Sequence, residues 1–446
     1  MSSSHDSARA GLVAGAATAD ITPAGSVFLF GYPHVPRNST GVHDPLECTA
    51  LFVSDGEASA LFLAHDLIFV PRELVLEARR RIAVKTGVRE DAILLSATHT
   101  HSGPVLVDQI GNAADPVVPK PDFEYAARLL DLIVQTASRA VTAAEPAEVG
   151  LAVARAEGVG SNRHDPRGPA DPEVPVLVAR SVKTRQPLGC MVVYAMHPTV
   201  LHEDSTVISG DFPHFTRSFL RRGALPAGCP ILYHNGASGN QSPRHFTRGN
   251  TLAEAQRLGE NLGRSIASAI ATISFTTEAR VDARQGWVEL EPRAFPGPGD
   301  AERVLAGARA RFRELKAEGA AAPAVRTAEC DVFGAEETAE LARAAADGRL
   351  KAALAARTPA EIQAIRIGPW TFVGWPGEFF VEYALALKAR SPRTHLITLA
   401  NGELQGYIVT PDAAAQRRYE ALNAVFAPEN GNRFVEATLA LLARGA

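Results

Sequence analysis

The chain has 446 residues, 46% hydrophobic and 21% charged, with a formal net charge of −4 and a pI near 6.4. This is the balance of a globular protein with a sizeable core, and its slight acidity gives no general attraction to nucleic acid or to an anionic membrane. Cys48, Cys190, Cys229 and Cys330 form no CxxC pair and no dense framework, so they read as four buried thiols in a reducing compartment.

The opening stretch, MSSSHDSARAGLVAGAATADITP, has no basic leader region, and Gly and Thr break its apolar run, so no signal peptide is expected. No later apolar run is long enough to span a bilayer. Residues 47–54 and 59–70 are rich in strand formers and flank Asp55-Gly56, which predicts a hairpin. In RELVLEARRRIAVKTG, Leu74, Ala78 and Ile82 recur at four-residue steps and Gly87 supplies the stop, which predicts a helix before a strand at 92–97. A helix over 122–143 follows, and then two strands around the polar loop GSNRHDPRGPADPE. Short apolar runs at 187–198 and 229–236 each end in polar residues, and 252–272 reads as a helix. Residues 299–357 are rich in Ala, Arg and Glu, and read as an inserted helical layer. Strands are expected at 362–375, turning at Gly368-Pro369, and at 395–400, with a closing helix at 433–443. The expected class is α/β, with mixed sheets and flanking helices.

The recurring pattern is a buried strand with a polar tip. In LLSATHTHSGP, His99 and His101 would project to the same face if the strand continued. They could share a metal, divide metal binding and proton handling between them, or be a structural pair. His197 ends the strand of AMHP, with Asp211 close by in SGD. Glu378, after the Pro376-Gly377 turn, is expected at the first position of a helix, where a carboxylate is favoured electrostatically in any case. Tyr407 and Tyr419 taken singly read as half-buried packing residues.

The blocks SATHTHSGP, AMHP with SGD, HNGASGNQSP, PGEF and GYIVT with RYE, after an opening ADITPAG and GY, resemble in order those of the neutral/alkaline ceramidases, which are zinc-dependent amidases. The resemblance covers about residues 15–425 and is dense only in these blocks. It implies one catalytic domain over 12–446, with a helical insertion at about 299–357, and one Zn²⁺ per chain at the strand tips. The implied ligands are His99, His197, Glu378 and, through its phenol, Tyr407. His101 then stands beside the metal-activated water, Tyr419 binds substrate, Arg163 of SNRHDP belongs to the active site, and Ser242 occupies the place of a serine once proposed as nucleophile. Asn240 and Arg244 replace the family's Asp and Asn around Ser242. The family's C-terminal β-sandwich and secretion signal have no evident counterpart, so a cytoplasmic protein is expected.

Two imidazoles and a carboxylate leave zinc one positive charge and room for water, which suits hydrolysis of an amide C–N bond with His101 as proton shuttle. Tyr419 and Arg163 would stabilise the oxyanion, or Arg163 would clamp a substrate carboxylate. The polar loop around Arg163 favours a small, soluble, polar or anionic amide. The alternatives are a ceramidase acting on N-acyl sphingoid lipids, a zinc esterase or lactonase, a serine hydrolase using Ser242 with His101 or His245, and a non-catalytic binding protein. The expected partner is thus a small-molecule amide, with no nucleic acid and no stable membrane association, and a homo-oligomer left open.

Overall fold

The computed structural model describes residues 11–444, without the side chains of Ala322 and Pro323. Residues 1–10, which carry part of the signal-peptide reading, and residues 445–446 of the expected domain lie outside the described residues.

The hairpin is Glu47–Ser54 against Ser59–His65, antiparallel, with Asp55 Oδ1 accepting the N–H groups of Glu57 and Ala58 in the turn. Its alternation shows where the core lies. Leu61 and Leu63 pack with Ile82, Leu129 and Ile133 of the flanking helices, whereas Ala60, Phe62 and Ala64 pack with Ile365, Phe372 and Ile397 of a second sheet. Both faces are covered, so the strand reads as a nearly unbroken apolar run rather than as an alternating one. It ends at His65, short of residue 70, because Asp66 turns aside to a buried ion pair with Arg217.

This hairpin lies within an eight-stranded mixed sheet. From one edge the order is Ile231–Asn235, Pro187–Tyr194, Glu173–Ser181, Glu145–Arg155, Val13–Asp20, Glu47–Ser54, Ser59–His65 and Ile93–Ala97. Only the outermost pair at each edge is parallel. The second sheet has four strands in the order Val281–Val288, Ala360–Ile367, Trp370–Gly374 and Thr394–Ile397, the last two parallel.

Helices Arg72–Thr86 and Phe123–Thr142 cover one part of the large sheet's outer face. Asp211–Arg221 and Leu252–Ile270 cover the other part, and Val381–Arg390 and Glu429–Ala443 cover the small sheet. Gly87, at φ 77°, ends the first of these helices in the left-handed cap its sequence predicts, and the 122–143 helix is capped by the Asp122 side chain. The 299–357 segment is three helices, Pro298–Ala317, Ala322–Asp347 and Arg349–Ala355. The first two share a small core that includes Leu305, Val332 and Ala339. No described helix is long and apolar enough to cross a membrane. Of the four thiols, Cys48, Cys190 and Cys229 are buried as expected, while Cys330 is half-buried on the helical arm.

One buried ion pair ties the layers together. Arg79 donates from Nη1 and Nη2 to the carboxylate of Glu361, at 2.8 Å each, and from Nε to Ile93 O. Arg79→Met leaves that carboxylate without its cation, so a loss of about 3–5 kcal/mol is expected, to be read from the urea midpoint at unchanged m-value.

Candidate active site

The site lies where parallel strands end. After Ala97 the chain does not stay extended, because His99 has φ 71°. The two-residue alternation expected of His99 and His101 therefore does not operate. A turn brings them together instead, with ring centroids 4.9 Å apart. His197 follows the strand Pro187–Tyr194, and its ring centroid is 4.7 Å from that of His99.

Two of these imidazoles are oriented from behind by backbone carbonyls. His99 Nδ1 is 2.9 Å from Ile68 O, and His197 Nδ1 is 2.6 Å from Ser238 O and 3.1 Å from Gln241 O. A carbonyl only accepts, so Nδ1 carries the hydrogen and Nε2 presents its lone pair. The two Nε2 atoms converge on Glu378 Oε2, at 3.2 Å and 3.0 Å.

Glu378 is not at a helix start. It lies in the short strand Glu378–Phe379, parallel to Tyr407–Ile408, and the helix begins at Val381. Gly377, at φ 134°, makes the bend that directs the chain into this pairing. The register sets Tyr407 directly beside Glu378.

His101 is held differently. Its ring lies against the backbone of Gly31, at φ 130°, where a Cβ would be 2.4 Å from His101 Cγ. Any larger residue at that position would displace the ring. Both of its ring nitrogens are buried without a hydrogen-bond partner among the described residues. Together His99, His101 and His197 form a buried group whose ligand atoms lie within 4.8 Å of one another.

Burial holds His101 well below the ordinary imidazole range, helped by His99 and His197. Burial also lowers His197, to about 4, against the pull of Glu378. Burial alone would raise Glu378, but the neighbouring His99 and His197 outweigh it and hold the carboxyl well below its usual range. Neutral imidazoles around an ionised carboxylate, with unpartnered ring nitrogens nearby, are a donor set that fits a divalent zinc-like cation.

A second set of residues borders the first. Arg163 Nε donates to Glu420 Oε1 at 2.5 Å, and His164 Nε2 is 2.8 Å from Glu420 Oε2. Arg163 and His164 overcome the burial of Glu420 and hold its carboxyl at about 2. The Arg163 guanidinium lies 5.2 Å from the Tyr407 ring centroid, and the rings of Tyr407 and Tyr419 are 6.5 Å apart. Burial, with Glu378 beside Tyr407 and Glu337 beside Tyr419, keeps the proton on both phenols.

Ser242 has a structural position. Its Oγ accepts from Arg244 N at 3.3 Å, capping a single turn, and Gln241–Ser242 pairs with Ser161–Asn162. Its neighbours serve the site: Asn240 O receives Arg163 N, and Gln241 O receives His197 N. Asn240 Oδ1 accepts from Val381 N at the start of the following helix. Asp211, buried and raised to about 7 mainly by burial, accepts from Leu201 N and Phe212 N and stands apart from the histidine group.

His99, His101, Glu378, Tyr407, Tyr419 and Glu337 share a cavity of about 70 Å³. This holds a few waters or a small group, not a whole substrate. Two roomier spaces flank the helix Ala322–Asp347. One, about 590 Å³, is bordered by His202, Glu203 and Arg326. The other, about 550 Å³, is bordered mostly by apolar residues, among them Val304, Ala335, Val409, Leu422 and Phe426. Neither is bordered by His99, His101 or His197.

Residues 12–216 match the family described as neutral/alkaline non-lysosomal ceramidase, N-terminal. This part of the chain is similar to the N-terminal domain of that family. A neutral ceramidase of Mycobacterium tuberculosis is 27% identical over 224 residues, covering 45% of this chain. The match spans only 34% of that relative's own length. The crystal structure of the neutral ceramidase from Pseudomonas aeruginosa has the same fold, with a TM-score of 0.74 at 19% identity over 97% of this chain and 75% of that one. A second ceramidase structure, complexed with C2, gives 0.73 at 18% identity over 97% and 76%. Glu378, Tyr407 and Tyr419 lie beyond the residues that the family match covers, so their place in the site rests on the geometry above.

Sequence reasoning missed Gly31, Glu420 and Glu337. Gly31 and Glu420 stood inside the quoted blocks GY and RYE, where a glycine before an aromatic and an acid after the tyrosine were the available signals. Glu337 gave none, because one Glu in a Glu-rich helix is indistinguishable from a solvated one.

Proposed function

We propose that this protein is a zinc-dependent amidase of the ceramidase kind, cleaving the C–N amide bond of an N-acyl amphiphile. The observation that carries the reading is the convergence of His99 Nε2 and His197 Nε2 on Glu378 Oε2, with both Nδ1 atoms secured by carbonyls. These three residues would hold one zinc ion, with Tyr407 beside Glu378 as a further oxygen. When bound, zinc supplies Lewis acidity that lowers the pKa of water and polarises a carbonyl.

His101 is assigned to proton transfer rather than ligation. A metal-binding histidine nearly always has its second nitrogen fixed by a carbonyl or carboxylate, and His101 lacks that anchor. It can accept a proton from water and pass it to the leaving nitrogen, which an amide needs because its amine is a poor leaving group. The Tyr419 phenol keeps its proton and is a donor for a developing oxyanion. Arg163 orients this group through Glu420 and the Tyr407 ring.

The substrate reading shifts from a small anionic amide to a lipid-like one. The Arg163 charge, the main reason to expect a carboxylate, is already neutralised by Glu420. The apolar space of about 550 Å³ adjoins the catalytic cavity: Phe426 borders one and Val425 the other, as do Thr338 and Glu337. The named relatives, both neutral ceramidases, support the same direction.

A series of N-acyl amides of one amine tests this. The value of kcat/KM should rise with acyl length by up to about fourfold per methylene over the first several carbons, the worth of a buried CH₂, and chelation should abolish it. A flat profile with preference for N-acyl amino acids would restore the small-amide reading, and faster ester cleavage would make the protein an esterase.

A further inference from the structure

The space of about 550 Å³ beside the catalytic cavity is not apolar throughout. Arg293 and Arg417 both border it, and neither has a carboxylate partner among the described residues. The Arg293 guanidinium donates to Ala421 O at 2.5 Å and to Leu422 O at 2.8 Å, while its Nε–H is buried with no acceptor. Both carbonyls are neutral, so the charge stays uncompensated. Arg417 is exposed, at φ 52°, a left-handed conformation that a residue with a Cβ seldom adopts. Its side chain makes no hydrogen bond or ion pair among the described residues. Two acids border the same space and neither offsets these charges. Asp300 is paired with Arg303, and the Asp331 carboxyl is raised by burial alone, so no cation acts on it. Val304, on the wall of the same space, is 52% exposed, apolar surface that a ligand would cover.

Arg293 also stands where the two cavities meet. Its Nη2 shares Leu422 O with Thr338 Oγ1, which donates at 2.9 Å, and Thr338 follows Glu337 on the wall of the histidine cavity. A guanidinium presents a planar fork that matches an anion with two oxygens, and apolar walls beside it suit a hydrocarbon chain. We propose that this space is a binding site for a fatty carboxylate, with the head group on Arg293 and Arg417 and the chain against Val304, Ala335, Leu422 and Phe426, and that the acid released by hydrolysis leaves through it. Burial and Arg417 lower Arg293 to about 10, as expected of a cation held without a counter-ion. On the amidase reading the acyl chain already lies in this space, and hydrolysis gives its carbonyl end a negative charge. That charge has only to move from the histidine cavity to the junction at Arg293.

Decanoate and decanol, titrated calorimetrically into the zinc-loaded full chain, test the site. Wild type should bind decanoate at least about tenfold more tightly than decanol, the worth of one hydrogen bond to a charged group. Arg417→Gln should lower the decanoate affinity about three- to fivefold, the range of an exposed charge pair. Decanol binding and the melting temperature should not change, because this side chain is exposed. Arg417→Lys keeps the charge and should restore most of the preference. Arg293→Gln should remove more of it than Arg417→Gln does, with a thermal melt to show whether losing the contacts to Ala421 O and Leu422 O loosens the fold.

The site does not depend on the amidase reading, but its part in product release does. A carboxylate can also settle on a metal, so decanoate binding should persist when chelator is present. Binding that disappears with the metal and is unchanged in Arg417→Gln would overturn the proposal, as would equal wild-type affinity for decanoate and decanol. Decanoate should inhibit hydrolysis of an N-decanoyl amide competitively, with a Ki that Arg417→Gln raises by the same factor as the Kd. If wild type cleaves no amide, the amidase reading and the release role fail together, and the calorimetry alone decides the site.

Discussion

Protein carrying Glu378→Ala or His197→Ala is expected to hold less than about a tenth of the zinc that wild type holds, and to lose amide hydrolysis with it. Glu378 is the one carboxylate on which both carbonyl-anchored imidazoles converge. Without it, a dication would face two neutral nitrogens and a protonated phenol, a donor set with no negative charge. Removing His197 would also leave Ser238 O and Gln241 O without their shared donor, so a thermal melt is needed to separate misfolding from metal loss. Glu378→Gln keeps the shape and removes the charge, so it should lose most of the metal with little change in melting. Elemental analysis decides the question. A Glu378→Ala protein that is inactive but fully zinc-loaded would show that Glu378 acts as a base and not as a ligand. Active wild type with no transition metal would end the zinc reading.

The fold was legible wherever period and punctuation coincided. The hairpin, the helix ended by Gly87 and the strand turn at Gly368 follow from local chemistry that tertiary contacts did not override. Less legible was what happens just beyond the strand ends, where function resides. His99 and Glu378 both depart from regular continuation, one through its own positive φ and the other after the positive φ of Gly377. No alternation rule foresees such bends. The sequence blocks marked His99, His101, Glu378, Tyr407 and Tyr419, which the fold brings to one cavity, but they gave no sign of what Arg163 pairs with. Its partner Glu420 is 257 positions away, and a charge that looks free in a polar loop is paired once the fold closes. Glu337 lay in the helical segment singled out as the place for specificity, yet only the packing of that helix over Ile110–Asn112 separates it from its solvated neighbours.

His101→Ala is expected to lower kcat by about 10²–10⁴-fold while zinc stays bound, and Ser242→Ala is expected to leave most of the turnover intact. The two outcomes follow from different surroundings. His101 is buried with both nitrogens unpartnered at the centre of the site, pressed into place by Gly31. Ser242 spends its oxygen on Arg244 N, in a strand pair whose neighbours hold Arg163 and His197. A nucleophilic serine needs a base within hydrogen-bond reach, and among the described residues Ser242 has no histidine partner. Its removal should cost a little stability through the lost cap and little chemistry. For His101, metal content separates proton transfer from ligation. If the alanine variant loses its zinc together with its activity, the three histidines act as one ligand set and the shuttle assignment is wrong. If it keeps zinc and regains turnover with added imidazole, His101 moves the proton. An acyl group trapped on the Ser242 peptide, seen as a mass increase during turnover, would overturn the assignment for both residues.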